Sequence, residues 1–253
     1  MREAGERVAV VTGASSGIGA ASAAALVRAG YRVICGARRT ERLDELVAGL
    51  GPAASARPLD VTAADSVAAF VAGIERCHLL VNAAGGALGL EPVAAADEQR
   101  WRTMYETNVL GVVRMTKALL PALRAGGDGV IVTIGSVAAF ESYAGGGGYN
   151  AAKAAVRSVM DVLRLELLGE PIRLSEIDPG MVETEFSLVR FDGDAERAAA
   201  LYADMTPLSA ADVAECVVFC ATRPSHVDVD QMVLRPRDQA RVGVVHRRRG
   251  QQG

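Results

Sequence analysis

The chain is poor in the residues that metal and redox centres need. It has only three histidines, and its four cysteines, Cys35, Cys77, Cys216 and Cys220, form no C-x-x-C pair. Cys216 and Cys220 stand at i and i+4, a spacing that could hold a metal. They flank the apolar stretch Val217-Val218-Phe219, however, and read as two small core residues. No metal site is expected. An excess of positive charge is also missing. The formal net charge is −3, which gives no reason to expect nucleic acid or an anionic membrane as a main partner. No apolar run is long enough to span a bilayer, and the charged start Met1–Arg7 carries no signal peptide. A reducing, cytoplasmic setting is expected. No internal repeat and no Pro- or Ser-rich linker divides the 253 residues, which are 50% hydrophobic and 23% charged. One domain over 1–253 is expected, with 247–253, including Arg247-Arg248-Arg249, as a frayed basic end.

Short β-rich apolar runs alternate with longer Ala-rich helical stretches, the signature of parallel βαβ construction. Strands are expected at Val8–Thr12, Arg32–Gly36, Ala56–Leu59, Leu79–Asn82, Val130–Ile134, Ile172–Ile177 and Asp230–Leu234. Between them lie helices at Gly17–Ala29, around Arg42–Leu50, at about Ala64–Ile74, from Glu98 to Leu123, and from the Tyr149 region to Leu168. Further helical segments fall near Ala195–Ala203 and Ala210–Ala221. The fold class is α/β: a doubly wound parallel sheet of about seven strands with helices on both faces. The glycine run Gly145–Gly148 should bend the backbone before the Tyr149 helix and let it approach a ligand.

The first strand ends in Thr12-Gly13-Ala14-Ser15-Ser16-Gly17-Ile18-Gly19. This is G-x-x-x-G-x-G rather than G-x-G-x-x-G, but the physical logic is shared. Gly13 makes the tight turn, Gly17 lets the backbone approach a phosphate, and Gly19 permits close helix packing. The N–H groups at the helix start, Ser15 to Gly19, then hold a pyrophosphate. Strand two ends in Gly36-Ala37-Arg38-Arg39. An acidic residue here would hold a ribose 2′-hydroxyl, whereas a 2′-phosphate needs a cation. Ala37 supplies no carboxylate and Arg38 offers a phosphate-binding fork, so NADP is favoured over NAD, with Arg39 the more solvated of the two. Asp60-Val61 and Asn82-Ala83-Ala84-Gly85 fall at C-terminal strand ends, the ligand edge of open α/β sheets. Asp60 either accepts from an adenine amino group or caps the next helix, and the small residues 83–85 leave room for a ribose.

Tyr149 and Lys153 stand four apart on one helix, so phenol and ammonium share a face. A free phenol titrates near ~10, and bringing it to about 7 takes roughly 4 kcal/mol, much of which a cation in a partly dry pocket can provide. Ser136, thirteen residues upstream, could donate to a carbonyl oxygen as charge develops there. Asn108 is a polar break in an apolar helical run, of the kind that bonds water or backbone carbonyls.

Over Arg7 to Leu234 these features together resemble the short-chain dehydrogenase/reductase family, whose fold is of the Rossmann type. The Thr12–Gly19 turn, Asn108, Ser136, Tyr149, Lys153 and Pro179-Gly180 fall in that family's order and rough spacing. The resemblance implies that Tyr149 is the general acid/base and that Ser136 orients the carbonyl. It implies that Lys153 lowers the phenol pKa and binds the nicotinamide ribose, while Asn108 holds a proton-relay water. Pro179, Gly180, Val182 and Thr184 would line the nicotinamide side. One departure is visible, because the family's frequent Asn-Asn-Ala-Gly is Asn82-Ala83-Ala84-Gly85 here. The segment from Pro179 through Phe191 and Gly193-Asp194 is similar to the NADP-dependent 3-hydroxy acid (serine/allo-threonine) dehydrogenases, as are His226–Val229 and Arg235-Pro236. A clavulanate-type aldehyde reductase is similar over much of the same length.

A carboxylate substrate would need a cation in a desolvated pocket, and Arg190 is the candidate, against a solvent-facing arginine on a mobile lid. Three functions compete. The first is NADP(H)-dependent interconversion of a carbonyl and an alcohol on a small 3-hydroxy acid. The second is a ketoreductase or aldehyde reductase for a bulkier or carrier-bound substrate. The third, a non-catalytic NADP-binding sensor, has no need of the four residues together. The resemblance further implies a homodimer or homotetramer. Met160, Leu163 and Leu167 give the Tyr149 helix an apolar stripe that faces either a second copy or its own sheet.

Overall fold

The computed structural model describes residues 7–248. Seven strands form one sheet: β1 (Arg7–Thr12), β2 (Tyr31–Ala37), β3 (Ala54–Pro58), β4 (Leu79–Asn82), β5 (Gly129–Ile134), β6 (Ile172–Pro179) and β7 (Gln231–Leu234). The helices are α1 (Gly17–Arg28), α2 (Thr40–Leu50), α3 (Ala64–Val71), α4 (Glu98–Tyr105), α5 (Gly111–Gly126), α6 (Gly147–Glu166), α7 (Phe186–Arg190), α8 (Ala195–Ala200) and α9 (Ala210–Ala221). The strand order is β3-β2-β1-β4-β5-β6-β7, and every pairing is parallel. The order reverses between β1 and β4, which opens a crevice beyond the C-terminal strand ends at that point.

Strand residues alternate between two cores because successive side chains point to opposite faces. Val11, Val33, Val81 and Val132 pack with Ala23 and Leu26 of α1 and Val213 and Val217 of α9. Val10, Ile34, Leu80 and Ile131 pack on the other face with Phe70 of α3, Met115 and Leu119 of α5 and Met160 of α6. The central strands β4, β5 and β6 are buried throughout, as a sheet covered on both faces requires. The stripe of Met160, Leu163 and Leu167 belongs to this second core, so it faces the chain's own sheet.

Four expectations change. The helical region from Glu98 contains a π-helical turn at Glu106–Leu110, where the Asn108 side chain engages backbone groups. A second small sheet, β8 (Gln239–Arg241) with β9 (Val244–Val245), turns through Val242-Gly243; its strands are too short to leave a period-2 signal. The Gly145–Gly148 run makes room for protein rather than ligand. A Cβ on Gly145 would lie 2.3 Å from the Leu90 carbonyl oxygen, and one on Gly148 2.5 Å from Met104 Cε. Finally, the basic tail is tied down where it is described: Arg247 donates to the carbonyls of Leu201 and Ala203, and Arg248 to Thr206 and Asp238. Residues 249–253 lie outside the described residues, as do 1–6.

Candidate active site

The β1–α1 turn brings the chain close to itself. Gly13 sits at φ +67°, and a Cβ there would lie 2.8 Å from the Ala84 backbone nitrogen. A Cβ on Gly19 would lie 2.3 Å from the Gly13 carbonyl oxygen. No side chain caps the start of α1, whose N-cap is Ser16. A helix start left uncapped in a cleft is an anion site built from backbone N–H groups. Thr12 fixes the neighbouring wall: its hydroxyl accepts the Ala83 and Ala84 N–H groups at 3.1 and 3.0 Å. Asn82 itself is directed inward to Thr116 and Thr133 and does not line the cleft, contrary to expectation.

The cleft, of about 810 Å³, runs from this turn along the C-terminal strand edge to α7. Gly13, Ser15 to Gly19, Arg38, Arg39, Asp60, Val61, Ala83 to Gly85, Pro179, Gly180, Val182 and Thr184 all line it. Asp60 Oδ1 accepts from the Thr62 N–H at 2.9 Å and its hydroxyl at 2.7 Å, a turn-forming role; α3 is capped at Ala63 instead. Arg38 and Arg39 both face the cleft, but Arg39 is the one bound across it. Its Nε and Nη2 reach Ser15 Oγ and Ser16 Oγ at 3.2 and 2.7 Å, and its Nη1 reaches Glu185 Oε2 at 2.9 Å. Glu185 also takes a hydrogen bond from Arg42, and the two arginines, Arg42 first, hold its carboxyl down to about 2. Glu185 left no signal in the sequence, since its partners lie more than 140 positions away.

At the far end stand the four residues expected to do chemistry. Tyr149 and Ser136 both line this end of the cleft, and the Tyr149 ring meets the edge of Phe186 at 5.4 Å. Lys153 Nζ lies 5.8 Å from the Tyr149 ring centroid and donates to the Ile134 carbonyl at 2.7 Å. Both side chains are enclosed. Burial drives the phenol above its ordinary range, opposed by the Ser136 hydrogen bond and the Arg190 charge. In this geometry the Lys153 ammonium is hydrogen-bonded to the Ile134 carbonyl rather than to the phenol. Burial also lowers Lys153, to about 8, with Asp178 and Glu176 pulling the other way. Asn108 lies behind the wall: Nδ2 donates to the Met104 and Gly86 carbonyls at 2.7 and 2.9 Å, and Oδ1 accepts from Gly86 N–H at 3.2 Å.

Arg190, on α7, is 8% exposed and lines the cleft. Its Nε donates to the Gly89 carbonyl at 3.0 Å, and its guanidinium carbon lies 5.3 and 5.8 Å from the Tyr143 and Tyr149 ring centroids. The solvent-facing lid arginine is thereby set aside. Two further buried groups went unnoticed in the sequence: Glu176 and Asp178 of β6, beneath Ser136. The run Ser175-Glu176-Ile177-Asp178 does carry a signal, two acids on one face of an apolar strand.

A parallel α/β sheet with a glycine-rich turn at its reversal point and a buried Tyr–Lys–Ser cluster at the same edge defines a dinucleotide-dependent oxidoreductase. The model of the short chain dehydrogenase family matches residues 7–194, and the chain belongs to that family. It is 58% identical to an uncharacterized oxidoreductase of Mycobacterium tuberculosis over 93% of each chain. It is 39% identical to serine 3-dehydrogenase of Agrobacterium fabrum over 92% of this chain and 95% of that one. It is 40% identical to an NADP-dependent 3-hydroxy acid dehydrogenase of Escherichia coli over 95% and 99%. Among solved structures, the closed form of serine dehydrogenase complexed with NADP+ superposes with a TM-score of 0.90 at 38% identity, covering 96% and 100%.

Proposed function

We propose that the protein is an NADP(H)-dependent oxidoreductase interconverting the carbonyl and hydroxyl forms of a small 3-hydroxy acid such as serine, allo-threonine or 3-hydroxypropionate. When bound, the nicotinamide supplies the hydride in reduction and takes it in oxidation. The residues present fit that cofactor. The uncapped start of α1 at Ser16 and Gly17 would hold the diphosphate, and Arg38 and Arg39 the 2′-phosphate. Asp60, Val61 and Ala83 to Gly85 would flank the adenosine, and Pro179, Gly180, Val182 and Thr184 the nicotinamide.

In reduction Tyr149 donates its proton to the substrate oxygen, and in oxidation it withdraws one. A phenol raised by burial stays protonated at neutral pH, the state a proton donor needs. Ser136, which lines the same end of the cleft, would give the same oxygen a second donor as charge builds there. The Lys153 ammonium contributes positive charge to this dry pocket and would hold the nicotinamide ribose. Asn108 fixes Gly86, and through it the Gly85 wall beside Lys153, which is where a relay water would stand.

The observation that carries the substrate class is Arg190, a buried guanidinium facing the cleft beside Tyr149. A buried cation at the reacting end favours a carboxylate over a neutral ketone. Kinetics of Arg190→Leu against the wild type on serine, 3-hydroxypropionate and a neutral hydroxyester would decide the matter. The expected result is KM raised by tenfold or more on the acids alone; equal losses on the ester would remove the carboxylate role. Assembly as a homodimer or homotetramer is supported by Val162, Leu165 and Leu168, exposed apolar residues on and just beyond α6.

A further inference from the structure

Behind the cleft floor, two carboxyl groups stand together on one face of β6. Glu176 is 4% exposed and Asp178 not at all. Asp178 Oδ1 accepts the Ser136 backbone N–H at 2.8 Å, and Oδ2 accepts from Gln231 Nε2 on β7 at 2.7 Å. Among the described residues, Glu176 Oε1 has no hydrogen-bond partner. Gly135 makes room for the pair, since a Cβ there would lie 2.0 Å from Asp178 Oδ1 and 2.6 Å from Glu176 Oε1.

Two carboxylates side by side in a dry site do not both keep their charge, so one of the pair carries a proton. Asp178 has two N–H donors and Glu176 has none that reaches Oε1, so the proton belongs on Glu176 and the charge on Asp178. Burial raises both groups, and Glu176 is raised further by its neighbour's charge. The positive charges of Lys153 and Arg157, both on α6, pull Glu176 down, and that of Lys153 pulls Asp178 down as well. Around Lys153 stand Tyr149, Asp178 and Glu176, and its own hydrogen bond goes to the neutral carbonyl of Ile134.

We infer that Glu176 and Asp178 work as one positioning unit that shares a single proton, and that its one negative charge balances the buried Lys153 ammonium while Asp178 fixes the Ser136 backbone. This rests on the reading of Lys153 above as a working ammonium. Sharing has a signature that a merely structural role lacks. If either acid is neutralised, the other takes the charge and Lys153 is spared; only loss of both exposes it.

Lys117 and Lys153 are the only lysines in the sequence, so the test can be direct. The apoenzyme would be labelled with carbon-13 at the lysine Cε in a Lys117→Arg background and the single remaining signal titrated by NMR. Glu176→Gln and Asp178→Asn should each leave the Lys153 midpoint near the wild-type value, and the double variant should lower it by about one pH unit or more. Circular dichroism and NADPH fluorescence would check the fold of each. A folded double variant with an unmoved midpoint overturns the inference, as does either single variant moving it by the full amount. If that double variant does not fold, Glu176→Leu with Asp178→Asn replaces it under the same criterion. In the wild type, the alkaline limb of kcat/KM should follow the NMR midpoint. A mismatch there would remove the catalytic reading of Lys153 and leave the carboxyl pair standing.

Discussion

Arg39 reaches over the mouth of the cleft to Glu185, Nη1 to Oε2 at 2.9 Å, joining the start of α2 to the loop after β6. Ser15 and Ser16 receive the same guanidinium, so three segments that wall the nucleotide end are held by one side chain. The carboxylate occupies a cation that a 2′-phosphate would also seek. Glu185→Gln should therefore lower the Kd for NADPH severalfold and leave NADH little changed, whereas Arg39→Ala should weaken NADPH by tenfold or more. Fluorescence titration with both nucleotides measures this; parallel changes for NADPH and NADH in Glu185→Gln would refute the competition.

Tyr149→Phe should nearly abolish turnover. The ring and its contact with Phe186 remain, and only the proton donor is lost. NADPH affinity should stay within a few-fold of wild type, because the phenol hydroxyl stands at the reacting end of the cleft, away from the glycine turn, Arg38 and Arg39. A variant retaining wild-type kcat would exclude Tyr149 as the acid.

Gly19→Ala tests the turn. The added methyl would lie 2.3 Å from the Gly13 carbonyl oxygen, which is backbone and cannot rotate away. Overpacking of this kind costs about 1–3 kcal/mol. For a domain of this size that corresponds to a Tm lower by roughly 2–12 °C, and NADPH binding should fall with it. Unaltered nucleotide affinity would mean that the turn does not shape the phosphate site.

These residues also mark how far the sequence could be read. The glycine turn was legible because its causes are local: a tight bend and a helix packed on its own preceding strand. Tyr149, Lys153, Ser136 and Asn108 could be picked out by residue type, order and spacing. What could not be read depends on distant partners. Whether Arg38 or Arg39 is bound across the cleft is decided by Glu185, and the inward turn of Asn82 by Thr116 and Thr133. The orientation of the Met160 stripe required knowing which face of α6 the sheet covers. Glu176 and Asp178 mark themselves as two acids on one face of an apolar strand, but what Asp178 bonds, Ser136 and Gln231, lies far from it in sequence.

Lys153 ties stability to pH. Burial lowers its pKa from 10.5 to about 8, so the folded protein gives up this proton more readily than the unfolded chain does. The cost of burying the ammonium is present below pH 8 and is relieved as pH rises from about 8 towards 10.5. A fall from 10.5 to about 8 corresponds to about 3 kcal/mol, partly offset by the lost bond to Ile134 when the group is removed. Lys153→Met should thus raise Tm by several degrees at pH 7 while abolishing activity, with the gain shrinking above pH 8. In the wild type, kcat/KM should decline as pH rises through about 8. A Tm gain that is flat with pH would mean the stabilisation comes from packing instead.

Arg247 and Arg248 bind the chain's described basic end to the segment after α8 and to Asp238. The Arg248 N–H donates to the Asp204 carbonyl at 2.7 Å, and its guanidinium reaches Asp238 Oδ2 at 3.2 Å. Arg247 donates to the Leu201 carbonyl at 3.2 Å, and Leu201, Val245 and Arg247 all line the cleft. These bonds hold residues 201–206, just after α8, against the β8–β9 hairpin. Ending the chain after His246 should free that segment and let water into the substrate end. KM for the carbonyl substrate should rise severalfold, with NADPH affinity unchanged because the nucleotide end is walled by Arg39 and Glu185 instead. Steady-state kinetics on the truncated enzyme, with hydrogen exchange over residues 201–206, would measure both effects. Faster exchange with an unchanged KM would separate the clasp from substrate binding and confine it to stability.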